Sequence, residues 1–149
     1  MSPRFARLAG AGAIAADLAA ADGPNKLARQ VRAIICDRLD ILVASAGISK
    51  AATIEETTVG DFDALFAVNV RAPFFLVQQL LPILHDGSSV VLVSSLAARA
   101  VVGTIPAYAA TKGAIDTLVK HLASALGQRG IRVNAIAPGV VANGNVELH

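Results

Sequence analysis

Tryptophan is absent from the 149 residues, tyrosine and cysteine occur once each, and aromatic residues make up only 4% of the chain. The interior must therefore be aliphatic, and the 54% of hydrophobic residues, mostly Ala, Val, Leu and Ile, can fill it. A lone cysteine, Cys36, excludes an internal disulfide and fits a reducing compartment, so a cytoplasmic location is expected. Beside Ile34 and Ile35 it reads as a small buried apolar residue. Charge is sparse as well: 13 Lys and Arg face 11 Asp and Glu, for a net +2, and the basic residues are scattered. That distribution excludes the basic stripe of a nucleic-acid binder. No run reaches the ~18 uninterrupted apolar residues of a membrane span. Asp17 interrupts the opening MSPRFARLAGAGAIAADLAA, which argues against a secretory leader. His85, His121 and His149 lack metal-ligand spacing, so no metal is expected.

What is present is an alternation. Four short apolar runs, AIAADL (13–18), ILVASA (41–46), SVVLVSS (89–95) and IRVNAIAPG (131–139), read as strands covered on both faces. Helical patterns lie between them. Residues 24–38 put Leu27, Val31, Ile34 and Ile35 on one side. A second pattern starts at the N-cap candidate Thr58, with Asp61 three residues on, and Pro73 predicts a kink within it. A third carries Ile115, Leu118, Val119, Leu122 and Leu126 and stops near Gly127 or Gly130. The expectation is one α/β domain over 1–149: a Rossmann-like, three-layer parallel sheet of about four strands with helices on both faces. Ligands of such a sheet bind beyond the carboxyl ends of its strands. Ser45-Ala46-Gly47, Ser94-Ser95 and Pro138-Gly139-Val140-Val141 all fall there.

The sole tyrosine lies in PAYAATKGA (106–114), four residues before Lys112. That spacing stacks the two side chains on one helix face. A free phenol, with a pKa near ~10, is a poor base at neutral pH, and a neighbouring cation favours the phenolate. The plain alternative is a solvated lysine and a packing tyrosine. Ser95, thirteen residues earlier at a strand end, can bring a hydroxyl to the pair, whereas Ser94 would face the other way. Asn69 is a polar amide on an apolar helix, either functional or a satisfied core amide. Glu55-Glu56, Ser124, Asp116 and the scattered arginines read as solvated surface or helix-dipole partners.

Taken in order, ILVASAG, FAVNV, VVLVSS, Y-A-A-T-K and IRVNAIAPG resemble the short-chain dehydrogenase/reductase family over residues 13 to 143. The resemblance implies an oxidoreductase using NAD or NADP on a small carbonyl or alcohol substrate. It casts Tyr108 as acid/base and Lys112 as the partner of Tyr108 and of the nicotinamide ribose. Ser95 would hold the substrate oxygen, and Asn69 would keep a water in line for a proton relay. It assigns Ser45, Ala46, Gly47, Pro138, Gly139 and Val141 to the cofactor, with Asp17 and adjoining Leu18 near its adenine.

The sequence also departs from that family. The T-G-x-x-x-G-x-G turn that receives a pyrophosphate has no counterpart, since Gly10-Ala11-Gly12 lacks the third glycine and follows no apolar strand. On this alignment the family's first two strands and its substrate-covering segment are missing, so the first run is expected to pair directly with 41–46 if the chain is stable alone, the alternatives being a loosely ordered N-terminal part or another chain filling the gap. Ala44 and Ser45 stand where the family has asparagines, and Asn143 where it has threonine. These departures keep open an alternative: a truncated, non-catalytic remnant that acts only as an interaction or structural piece. Helices 61–84 and 104–126 offer an aliphatic pair for self-association.

Overall fold

A computed structural model describes residues 12–35 and 37–139. Three strands, β1 (Leu39–Ala44), β2 (Leu84–Val93) and β3 (Arg132–Ile136), form one parallel sheet in the order β1-β2-β3. Leu42 pairs with Val90, and Val90 in turn with Val133, so the three strands turn the same set of side chains to each face. The α/β class and parallel sheet agree with the sequence reading, but the strand count does not.

Residues 13–18 form no strand. Half of the run is alanine, a poor strand former, and the Asp17 carboxylate accepts a hydrogen bond from the Ala19 amide (2.9 Å) that turns the chain. The expected direct pairing of this run with 41–46 is therefore corrected.

Helix α1 (Gly23–Ile35) leads into β1, while α2 (Val59–Phe66) and α3 (Ala72–Leu80) join β1 to β2 and α4 (Pro106–Gly127) joins β2 to β3. Thr58 caps α2 as expected: its hydroxyl accepts from the Asp61 amide (3.1 Å) and donates to the Asp61 carboxylate (2.7 Å). Between α2 and α3 the helix widens into a π turn, Ala67–Arg71, where the Ala72 amide reaches back five residues to the Ala67 carbonyl. Pro73 explains the break. It has no N–H to offer the Asn69 carbonyl four residues earlier.

The combined helical stretch Val59–Ile83 is long enough, and contains an 18-residue window apolar enough (mean hydropathy 1.4), to cross a membrane. Part of its apolarity is used internally: Leu65, Val77 and Leu80 are buried, Val77 and Leu80 in the core with Leu42, Val90 and Leu92, whereas Val59, Phe62, Phe74 and Phe75 are exposed.

The core lies on one side of the sheet. Leu42, Val90, Leu92 and Val133 meet Ala28 of α1, Val77 and Leu80 of α3, and Ile115 and Leu126 of α4. The alternate positions Ile41, Val43 and Ile136 are 64%, 55% and 51% exposed. Among the described residues the helices thus cover one face, where the sequence had suggested helices on both. Apolar residues at every strand position read as two buried faces, yet only alternate ones are covered here. In α1 the contact face is also shifted. Pro24 and Ala28 are buried and Val31 packs partly buried against the core, whereas Ile34 and Ile35 are exposed.

Candidate active site

Each strand end contributes to a single polar cavity of about 230 Å³. Gly47 follows β1, Ser95 follows β2, and Pro138 and Gly139 follow β3, while α4 adds Tyr108 and Lys112. Pro106 opens α4 in the first turn, where its fixed φ suits a helix and its missing N–H costs nothing. Tyr108 and Lys112 follow on one face, with the Lys112 Nζ 5.5 Å from the centre of the Tyr108 ring.

Lys112 is only 5% exposed. Its ammonium donates to the Val93 carbonyl (2.8 Å) at the end of β2. Burial without a carboxylate partner disfavours the charged form and pulls the Lys112 pKa below the usual lysine range. Gly47 lets the loop after β1 approach this group: a Cβ there would stand 3.3 Å from Asn69 Oδ1 and 3.5 Å from Lys112 Nζ.

Asn69 is buried behind the cavity and not turned into it. Its Oδ1 accepts from the Ile48 amide (2.9 Å), and its Nδ2 donates to the Ile48 carbonyl (2.9 Å) and to Thr111 Oγ1 (3.0 Å). Thr111, fully buried, donates in turn to the Tyr108 carbonyl (2.7 Å). One amide thereby ties the π turn, the loop after β1 and the first turns of α4 together. Its side chain has no proton left to give.

Ser95 caps a short 3-10 turn, Leu96–Ala98, its Oγ accepting from the Ala97 amide (3.2 Å). The Leu96 amide donates to the Pro138 carbonyl (2.9 Å), fixing the turn to the segment after β3. Ser94, buried, points the other way and donates a long bond to the Lys112 carbonyl (3.3 Å).

The remaining candidates are elsewhere. Leu18, Ser45 and Ala46 line a smaller hollow of about 160 Å³ beside α1 and α3, and Ser45 also borders the polar cavity. Asp17 is exposed, and its carboxylate is bonded to the Ala19 amide. Gly10, Ala11, Cys36, Val140, Val141, Asn143 and His149 lie outside the described residues. A larger hollow of about 430 Å³, walled by Ile54, Val59, Phe62, Pro106 and Ala107, offers threonine hydroxyls but no acid or base.

Sequence reasoning overlooked two residues. Thr111 looked like filler between Ala110 and Lys112, although its place in the turn between Tyr108 and Lys112 was a usable signal. Asp116, read as solvated, has a side chain only 16% exposed and pairs with Arg99 (2.9 Å). It follows Tyr108 and Lys112 at the same four-residue step. Burial pushes its carboxyl up, but the nearby Ser94 hydroxyl, the Arg99 guanidinium and the Lys120 charge outweigh that and hold it below the usual carboxylate range.

The fit to a nicotinamide cofactor is partial. The cavity is smaller than a pocket for a whole drug-sized ligand, its rim is built from a hydroxyl, a phenol and an ammonium, and Gly47 leaves open the space a Cβ would fill. These features suit a polar ring and sugar, while the 149 residues hold no glycine-rich pyrophosphate turn.

Comparison with known proteins identifies the family and the fold. A family model described as enoyl-(acyl carrier protein) reductase matches residues 3–147. A hydroxynaphthalene reductase of Aspergillus fumigatus is 40% identical over 104 residues, which span 70% of this chain and 38% of that protein. A dehydrogenase/reductase from Sinorhizobium meliloti superposes with a TM-score of 0.80 at 42% identity, covering 88% of this chain and 53% of its own. The RhlG/NADP active-site complex from Pseudomonas aeruginosa gives 0.79 at 34% identity, with 87% and 53% covered. The chain thus spans well under half of the curated relative and about half of the solved ones. It belongs to the short-chain dehydrogenase/reductase family.

Proposed function

We propose that the cavity serves an NAD(P)-dependent oxidoreductase acting on a small carbonyl or alcohol. The observation that carries this reading is a desolvated ammonium, Lys112, held over the ring of the sole tyrosine in a cavity that also presents a serine hydroxyl. Such a lysine is costly to bury, and holding a charge against a phenol in a ligand cavity is a use that accounts for it. The relatives support the same reading, one being named as a reductase of a hydroxynaphthalene and another solved as an NADP complex.

When bound, the nicotinamide supplies or accepts the hydride. The chain's own residues handle the proton. Tyr108 Oη gives a proton to the substrate oxygen in reduction, or removes one in oxidation. Ser95 Oγ holds that oxygen, and Lys112 favours negative charge on the phenol and meets the sugar hydroxyls. Gly47, Pro138 and Gly139 would hold the nicotinamide end, and Leu18, Ser45 and Ala46, which line the adjoining hollow, would serve the adenine end. Asn69 acts by bracing, with both amide protons committed to Ile48 and Thr111, and its Oδ1, which accepts only from the Ile48 amide, keeps a lone pair for a relayed water. Tyr108→Phe tests the assignment. It is expected to cut turnover of an aromatic ketone with NADPH by ~10² or more while leaving cofactor affinity unchanged; turnover equal to wild type removes Tyr108 from the role.

A non-catalytic piece that works by association is the rival reading, favoured by the open sheet face bearing Ile41, Val43 and Ile136. The two readings part on whether NADPH at millimolar concentration supports any Tyr108-dependent turnover.

A further inference from the structure

Asp116 and Arg99 lie outside the cavity, yet they bracket the turn that presents Ser95. Arg99 closes that turn, its amide donating to the Leu96 carbonyl (2.9 Å), and its Nε donates to Asp116 Oδ2 (2.9 Å) on α4. On the other side of Ser95, the buried Ser94 hydroxyl reaches the Lys112 carbonyl over a long 3.3 Å and is near enough to Asp116 to favour its ionised form. Asp116 Oδ1 is buried without a partner among the described residues, so it is open to that hydroxyl. Asp116 also continues the face of α4 that carries Tyr108 and Lys112, one turn apart each. The Asp116 carboxylate therefore ties the end of the Ser95 turn to the helix that holds the tyrosine, while the Ser94 hydroxyl ties its start to the same helix.

We infer that Asp116 and Arg99 form a clasp that positions Ser95 against Tyr108. The proposal rests on the reductase reading for its catalytic meaning, but not for its geometry. Without the clasp the turn is still bonded to Pro138 after β3 and its start to α4 through the long Ser94 bond, but its far end loses the side-chain tie to α4. The separation of the serine and phenol oxygens then depends on a loop, 99–105, that contains Gly103 at φ +52°. An exposed ion pair adds little to global stability, and the Arg99 side chain is 64% exposed. Its role is to restrict one distance, and misplacement of a reacting group by an ångström is enough to slow a reaction.

Three variants separate the clasp from mere packing. Arg99→Met keeps the stem without the charge, Arg99→Lys keeps the charge, and Asp116→Asn removes the charge from the helix side. Amide hydrogen exchange at Ala97–Ala100 is expected to rise about tenfold in Arg99→Met and Asp116→Asn, with Val90 and Leu92 of β2 unchanged. Arg99→Lys should restore most of the protection. In the same variants kcat should fall in step with the lost protection while KM for NADPH stays constant. Wild-type protection at Ala97–Ala100 in Arg99→Met, or a uniform rise that includes β2, overturns the clasp. If protection is lost as described but not even the wild type turns over, the clasp stands and the reductase reading falls.

Discussion

Lys112 has three protons to donate, and one goes to the Val93 carbonyl at the edge of a polar cavity. Its burial lowers its pKa from the ordinary 10.5, and the sign of the consequence follows from proton counts. Between the lowered value and 10.5 the unfolded chain holds more protons at this position than the folded one, so stability rises with pH across that window. Below the window the full cost of a desolvated charge remains. Lys112→Met should therefore be at least as stable as wild type at neutral pH and should lack the alkaline gain. Urea denaturation of both chains at neutral pH and at pH values approaching 10.5 reads the difference, and a variant that loses stability at neutral pH would oppose this description. Tyr108, Lys112 and Ser95 were legible because their spacing and strand-end positions are properties of the chain itself. Asp116 and Thr111 were not, because what they do depends on Arg99 and Asn69, which are distant in sequence and reach them only through packing.

Among the elements, the π turn has the most consequence for the site. It turns Asn69 inward, where its amide satisfies both backbone groups of Ile48 and bonds Thr111. Asn69→Leu would strand both the N–H and the carbonyl of Ile48, and a loss of ~2 kcal/mol or more is expected in the unfolding free energy. Thr111→Val removes the acceptor of one Asn69 proton and a second donor to the Tyr108 carbonyl, and should cost ~1 kcal/mol. A denaturant series on the two variants checks the order, and a larger loss from Thr111→Val would contradict the bracing role. The break at Pro73 was readable from a missing N–H, as was the Thr58 cap from a hydroxyl three residues ahead of Asp61. The run at 13–18 was misread because apolar composition was taken for strand propensity, when alanine satisfies a coil as readily and Asp17 supplies a turn.

At the scale of the whole molecule, two features set behaviour in solution: a sheet face left open among the described residues, and a polar cavity, proposed to take a nicotinamide, in a sequence that lacks the glycine-rich turn. Ile41→Lys together with Val43→Lys should reduce binding of a hydrophobic dye while shifting the unfolding free energy by no more than about 0.5 kcal/mol. A large loss of stability would mean that this face is covered. The sidedness of the core escaped the sequence because Ile41 and Val43 are as apolar as Leu42, and only three-dimensional neighbours distinguish them. Without backbone donors for a pyrophosphate, the 149-residue chain should bind NADPH weakly. A micromolar dissociation constant, read from the fluorescence of its sole tyrosine, would overturn that. The most direct measurement is reduction of an aromatic ketone at millimolar NADPH by the wild type and by Tyr108→Phe. Slow turnover in the first and none in the second is the expected result; equal rates in both, or no turnover in either, would contradict a proton-handling role for the Tyr108–Lys112 cavity.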